Sequence, residues 1–177
     1  MLLLPLVGCH PAEEKAKRQL EEQQRQEAVR AVAYLQTHYN AVIDWPQELK
    51  GKTFTIDVEP IFLRADHRPI LFDAMLEDIK QENGGVFLYF LTIPTKGEPA
   101  LRLILDCAGC DLQVLRKSAN PIGDFAVVAQ VTAAAKSLDD SEDAPDYVLH
   151  GKFIDARYVG EYAMDKFLAS QPGTHTK

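Results

Sequence analysis

Length, composition and charge allow one ordinary domain and exclude several classes of protein. The chain has 177 residues, 46% hydrophobic and 25% charged, which is typical of a globular domain with a substantial core. Its net charge is −7, and it lacks the clusters of Lys and Arg that neutralise phosphates, which argues against nucleic-acid binding. No apolar run reaches the roughly 20 residues that a transmembrane helix needs.

The chain begins with an apolar run from Met1 to Val7 that leads into Gly8 and Cys9. The run is near the lower limit for the core of a signal peptide, and it lacks the usual positively charged flank. Leu6-Val7-Gly8-Cys9 nevertheless resembles the lipobox of bacterial lipoproteins. The resemblance implies that residues 1–8 are a signal-peptide remnant, removed when the Cys9 thiol is lipidated. The alternative is an apolar N-terminus with a chance cysteine.

Lipidation of Cys9 would make membrane lipid the first partner of this protein. Several palmitate-like acyl chains on one residue form a lasting anchor, since each buried methylene adds about 0.8 kcal/mol. His10, rather than Asp, follows the cysteine, which resembles the default sorting to the outer membrane. We therefore expect a protein of the bacterial cell envelope that faces the periplasm, on the outer membrane rather than the inner.

Residues 9–46 are predicted to contain the lipid attachment site and a long spacer helix. Residues 12–26 are mostly polar helix formers with acids placed four residues before bases, which favours a solvated helix. Trp45-Pro46 is predicted to end the helix, because proline disfavours the helical conformation of the residue before it. An apolar face that can dock on a domain or on a partner helix is formed by Ala28, Val32, Leu35, Tyr39 and Val42.

Residues 47–168 are predicted to form a β-barrel domain, and residues 169–177 a disordered tail. The run at 86–93 is apolar on both faces, so we expect both faces to be buried. A short helix over 111–117 is predicted to begin at a capping Asp111. Alternation of apolar and polar residues, or continuous apolar character, predicts strands at 52–60, 70–79, 86–93, 101–106, 124–136 and 147–155.

The order of strands, helix and two further strands resembles an OB-fold of three strands, a helix and two strands, and the hairpin of residues 86–105 adds one strand to that simplest version. The stretch from Tyr39 through KGKTFTIDVE is also similar to small bacterial OB-fold domains of the anticodon-binding-like class. The resemblance implies a mainly β fold: a small OB-like antiparallel barrel with one short helix, preceded by the long N-terminal helix. An α+β sandwich with the helix on one face is the alternative.

Cys107-Ala108-Gly109-Cys110 is the motif that most suggests a reaction. It follows an apolar strand and opens a predicted helix, where amide dipoles lower the pKa of a thiol. This order resembles thioredoxin-like proteins. Because the chain has 3 cysteines, lipidation of Cys9 leaves one nearby pair, which suits an oxidising envelope. A local disulfide or two reduced, half-buried thiols are predicted, and thiol–disulfide redox chemistry is the alternative.

The other reactive residues do not combine into a catalytic or metal-binding arrangement. Gly51-Lys52-Thr53 resembles the end of a phosphate-binding loop, but Pro46 occupies the position of its first glycine. The acidic loop LDDSEDAPD, residues 138–146, lacks the spacing of a calcium loop, and we expect it to be solvated at the rim of the barrel. No catalytic residue, metal or cofactor is predicted. The expected function is non-catalytic binding of an envelope protein or a small ligand.

Overall fold

The described part of the chain, in this computed structural model, comprises residues 11–49, 58–92, 94, 98–113, 115, 124–139, 141 and 144–160. Helices come first in chain order: α1 (Pro11–Tyr39), α2 (Trp45–Leu49) and α3 (Glu59–Phe62). The strands follow: β1 (Ile70–Glu82), β2 (Gly85–Thr92), β3 (Leu101–Asp106), β4 (Asp124–Lys136) and β5 (Tyr147–Gly160).

The strands close into a small barrel in the order β1-β2-β3-β5-β4, with β4 paired back to β1. Neighbouring strands are antiparallel except β3 and β5, which run parallel from the pair Leu101 and Tyr147 to the pair Asp106 and Lys152. The predicted mainly β, OB-like barrel with a long N-terminal helix is confirmed, although one of its strand pairs is parallel. The strands form a ring rather than the sheet of the alternative α+β sandwich.

Side chains that alternate along the strands fill the inside of the barrel. On β3, Leu101, Leu103 and Leu105 are each 0% exposed, whereas the residues between them are half-buried. On β2, only Leu88, Phe90 and Thr92 are buried. The prediction that both faces of this strand are buried was therefore wrong, because its outward side chains keep part of their surface exposed.

The C-terminal half of α1 packs on the outside of the barrel, as its apolar face predicts, but Val42, predicted on the same face, lies after the end of α1 and is buried in the main core. Ala28, Val32 and Leu35 are buried where α1 meets the barrel, while Leu20 in the N-terminal half is 56% exposed. A solvated half and a docked half therefore follow one another in a single helix. These α1 side chains form an apolar cluster on the outside of the barrel, separate from the main core inside it. The barrel side chains in this cluster are Leu71, Ala126, Val128 and Val159.

The end of α1 lies before the predicted boundary. Asn40 has a φ of 50°, the left-handed conformation that commonly closes a helix, and the N–H of Ala41 donates to the carbonyl of Gln36 at 3.0 Å. Pro46 lies in the first turn of α2, where proline is tolerated. The indole N–H of Trp45 donates to the carbonyl oxygen of Leu71 at 3.1 Å and fixes α2 against β1. The boundary prediction was wrong because this proline begins a new helix.

The predicted first strand, residues 52–60, lies mostly outside the described residues. At its end the prediction was wrong, since Glu59 and Pro60 belong to α3, whose first turn again accommodates a proline. Ile61 and Phe62 of α3 are buried in the main core. The predicted turn before β2 is confirmed: Asn83 and Gly84 have φ angles of 49° and 81°, the conformation of a tight hairpin turn.

Candidate functional site

The outward-facing side chains of β2 and β3 form a surface that we call the outer face. Its members are brought together by the antiparallel register of the two strands, because side chains directly opposite each other share a face. All are half-buried. The outer face consists of the opposed pairs Phe87 and Asp106, Tyr89 and Ile104, and Leu91 and Arg102.

Charged side chains hold the outer face in place along the β1 side. The guanidinium of Arg102 donates to both carboxylate oxygens of Glu77, at 2.9 and 3.3 Å. The ammonium of Lys80 lies 4.4 Å from the centroid of the Tyr89 ring, and the Tyr89 hydroxyl donates to Glu82 at 3.4 Å. The aromatic ring is thus positioned by a cation–π contact and a hydrogen bond. Apolar area and charged groups therefore lie side by side on this surface.

The outer face is on the part of the barrel that the described helices leave uncovered. α1 packs on β4 and β5, and α3 packs on β4, whereas no helix in the described ranges packs extensively on β2 or β3. An exposed apolar patch rimmed by polar groups is one kind of surface through which proteins bind partners. The outer face is therefore suited to hold a partner or ligand by apolar burial, with the charged rim supplying selectivity.

The outer face is not among the features that the sequence predicts. A signal for it was present, since pairing VFLYFLTI with LRLILD as a hairpin places Phe87 opposite Asp106 and Leu91 opposite Arg102 on one face. Which of the two faces of β2 points inward depends on closure of the barrel. That closure depends on pairings between residues far apart in the chain, such as Leu105 with Gly151.

Cys107 and Cys110 are joined as a disulfide, with Cα atoms 5.5 Å apart. Cys107 is 3% exposed and belongs to the main core, and its N–H donates to the carbonyl of Val86 at 2.9 Å. Asp111 accepts a hydrogen bond from the N–H of Gln113 at 2.9 Å and so caps the helical residues that follow, as predicted. The pair therefore links the end of β3 to the start of this helical segment.

The described part of the acidic loop is ordered by hydrogen bonds. The N–H of Ser141 donates to Asp139 at 3.0 Å, and this contact is the main reason why the pKa of Asp139 is lowered. Asp146 accepts from the N–H of Ala100 at 2.8 Å and ties the loop to the start of β3. Together with Lys136 and their neighbours, these residues line a polar pocket of about 260 Å³. A polar ligand has access to this rim.

The remaining residues with reactive side chains are dispersed in the structure. His67 is in a turn with a φ of 52°, and His150 is exposed on β5. Arg64 pairs with Glu48 and Asp66 at 3.0 and 3.3 Å. In the described ranges no group of three or more His, Cys, Asp and Glu side chains is placed to hold a metal ion. Likewise, no helix there is both long and apolar enough to cross a bilayer.

The lipidation candidate Cys9 lies outside the described residues. No family model, no curated protein and no solved structure matches the chain.

Proposed function

We propose that the chain is a membrane-anchored envelope lipoprotein whose barrel binds a partner protein or a ligand and catalyses no reaction. The observation that carries this proposal is the outer face, an apolar surface with a charged rim that the described helices leave uncovered. The sequence LVGC at residues 6–9 supports the anchor. The exposed half of α1 supports a role as a spacer between the anchor and the barrel.

The position of the outer face suits an extended partner. In OB-folds, the surface of the second and third strands is a common site for oligonucleotides and oligosaccharides. A net charge of −7 repels a phosphate backbone, and the rim of the outer face carries Glu77 and Glu82 beside Arg102 and Lys80. We therefore propose an envelope protein or another ligand without a phosphate backbone, rather than a nucleic acid.

The helix sets the distance of the barrel from the proposed membrane surface. Buried contacts of α1 begin at Ala28, so the residues from Pro11 to Glu27 extend beyond the barrel as helix, and those from Glu13 to Glu27 are exposed. At about 1.5 Å per residue, this portion spans roughly 25 Å. A solvated helix of that length supports the proposed role of α1 as a spacer.

Photo-crosslinking in membranes of the native host tests the binding proposal. A photoreactive residue in place of Ile104 is expected to give specific adducts, whereas the same residue in place of Leu20, an exposed leucine on the solvated half of α1, gives none. When Tyr89→Ala is added to the protein that carries the photoreactive residue at position 104, the adduct yield should fall several-fold. Equal labelling at positions 20 and 104, or no adduct at 104, would exclude the outer face as the binding site.

Membrane attachment has an independent test. Cys9→Ser is expected to release the protein from the membrane fraction, while Cys110→Ser leaves it there, since only Cys9 is proposed to carry lipid. Mass spectrometry of the N-terminal peptide from the native host should show acyl chains on Cys9 and loss of residues 1–8. An unmodified Cys9 still joined to residue 8 would contradict the anchor.

Thiol–disulfide exchange through Cys107 and Cys110 is the second candidate function. The bonded pair between a strand and a helical segment favours it, but burial of Cys107 limits access to that sulfur. Replacing both cysteines with serine separates the two candidates. Loss of insulin reduction with crosslinking at position 104 intact would support the redox function, and absence of reductase activity in the unaltered protein would reject it.

A further inference from the structure

A cavity of about 220 Å³ opens at one end of the barrel, and its lining contains no residue of the outer face. It lies between α3 and the ends of β4 and β5 that border the acidic loop, and most of its lining is apolar. The side chains that line it are Val58, Glu59, Phe62, Ala134, Ala135, Lys136, Tyr147 and Leu149.

The cavity persists because the side chains on one of its walls are small and those on the opposite wall are held in place by packing. Ala134 and Ala135 carry only methyl groups, so β4 cannot fill the space. Phe62 and Leu149 are 1% and 0% exposed, and each is packed into the main core and not free to move inward. An apolar cavity of about 150 Å³ is enough to bind a benzene molecule in a protein. This cavity therefore accommodates an aromatic ring or a branched alkyl group with a short extension.

The charges around the mouth of the cavity favour a cation beside that apolar group. Glu59 lines the cavity itself, and the polar pocket next to it contains Asp139 and Asp146. Lys136 lines both spaces and is exposed, so its long side chain can direct the ammonium into solvent. Arg102 also lies close enough to Asp139 to help lower its pKa, but its guanidinium is paired with Glu77. Glu59, Asp139 and Asp146 therefore leave an excess of negative charge over the ammonium of Lys136.

We propose that this end of the barrel is a second binding site, for an amphipathic cation. Its apolar group, of about the size of a phenyl ring, occupies the cavity between Phe62 and Leu149. Its ammonium or guanidinium group lies in the polar pocket near Asp139 and Asp146. The same chemistry is found in a free aryl amine and in an aromatic residue beside a basic one in a peptide. The site shares no lining residue with the outer face.

Three fragments with the same ring and different charges test the proposal. Two-dimensional NMR titrations of the full chain would use 2-phenylethylamine, 2-phenylethanol and 3-phenylpropanoate. We expect the amine to shift the amide signals of Ala134 and Leu149 and to bind at least tenfold more tightly than the carboxylate, with the difference shrinking as salt is added. Equal affinity for the three fragments, or no shifts at millimolar concentration, would overturn the proposal.

Matched variants separate the cavity from the rest of β4. Ala134→Leu fills the cavity and is expected to abolish binding of the amine, whereas Ala133→Leu, at an exposed neighbouring position outside the lining, leaves it unchanged. Asp146→Asn is expected to weaken binding of the amine three- to tenfold while leaving that of 2-phenylethanol unaltered. If Ala134→Leu binds the amine as well as the unaltered chain does, the cavity is not the site.

Two further experiments identify the source of the cation and test this site separately from the outer face. Displacement of the amine by acetyl-Lys-Phe-amide points to a peptide segment as the natural occupant, and binding of the amine without such competition points to a free small molecule. Crosslinking through position 104 should be the same in the Ala134→Leu variant. Failure of one site therefore leaves the test of the other intact.

Discussion

The hydroxyl of Tyr39 donates a hydrogen bond to Asp155 at 3.2 Å and joins the last turn of α1 to β5. Asp155 also accepts from the guanidinium of Arg157 at 3.3 Å, and that guanidinium lies 5.6 Å from the ring of Tyr34, one turn earlier on α1. Burial, and then the charge of Asp155, raise the pKa of Tyr39, so the phenol stays protonated as the donor. These contacts lie beside the apolar seam, by which we mean the buried side chains Ala28, Val32 and Leu35 of α1 and the barrel residues that they contact. They fix the direction in which the helix leaves the barrel.

The Tyr39 to Asp155 contact should be measurable as a coupling free energy. Tyr39→Phe and Asp155→Asn are each expected to lower the free energy of unfolding by about 1 kcal/mol, and the double variant by less than their sum. Urea unfolding of the four proteins gives the coupling. Tyr34→Phe is the control, because its hydroxyl is not part of this contact. Additive effects of the two substitutions would show that the hydrogen bond contributes nothing to stability.

Docking of α1 should depend on the apolar seam more than on the polar contacts. Leu35 is 0% exposed, and Leu35→Ala leaves a hole between the helix and the barrel, so we expect a loss of about 2–5 kcal/mol in the free energy of unfolding. Leu20→Ala removes the same atoms from a position that is 56% exposed and should change it by less than about 0.5 kcal/mol. Hydrogen exchange of β4 should rise in the first variant alone. Equal effects of the two substitutions would contradict the docked arrangement.

Local patterns in the sequence predicted much of this fold because each strand carries its own signal. β4 begins and ends at the predicted residues, 124 and 136, and β3 at 101 and 106. Two predictions were wrong at prolines. Pro46 was predicted to end a helix and Pro60 to lie at the end of a strand, yet each lies in the first turn of a short helix. The outcome at these prolines depends on how Trp45 and Phe62 pack against β1, which no local pattern contains.

The candidate site was harder to predict because it depends on what covers each face. Phe87 and Phe90 belong to one apolar run, yet Phe90 is 0% exposed and Phe87 lies on the outer face. Only the closed order of the strands and the position of α1 distinguish them. The cavity beside Ala134 likewise arises from the approach of α3 to β4, elements far apart in the chain.

Gly151 allows the close approach of β5 to β4 and should not tolerate a side chain. A Cβ atom there would overlap the carbonyl oxygen of Gln130 and lie 3.1 Å from the Cα of Val131, both of them backbone atoms. We expect Gly151→Ala to lower the free energy of unfolding by at least about 2 kcal/mol. At Gly85 the nearest atom to such a Cβ is in the movable ring of Phe87, at 3.2 Å, so Gly85→Ala should cost less. Thermal unfolding of the two variants decides the order, and a smaller loss at position 151 would contradict the strand register.

Tyr147 should make the protein less stable at high pH. Its side chain is 5% exposed, and burial, followed by the charge of Asp146, raises its pKa from 10.0 to about 12. Because the folded state holds the proton more tightly, the stabilisation is fully present below about pH 10 and is lost as the pH rises to about 12. A shift of two units corresponds to about 3 kcal/mol, of which roughly 1 kcal/mol should disappear between pH 9 and pH 11.

Urea unfolding at pH 9, 10 and 11 measures this loss. Tyr147→Phe removes the ionising group, so the free energy of unfolding of that variant should fall less steeply with pH than that of the unaltered protein. Tyr158→Phe is the matched control, since its ring is 39% exposed on the same strand, and it should keep the full slope. Identical slopes for the unaltered protein and Tyr147→Phe would show that the Tyr147 phenol ionises as readily in the folded state as in the unfolded chain. That result would contradict the prediction.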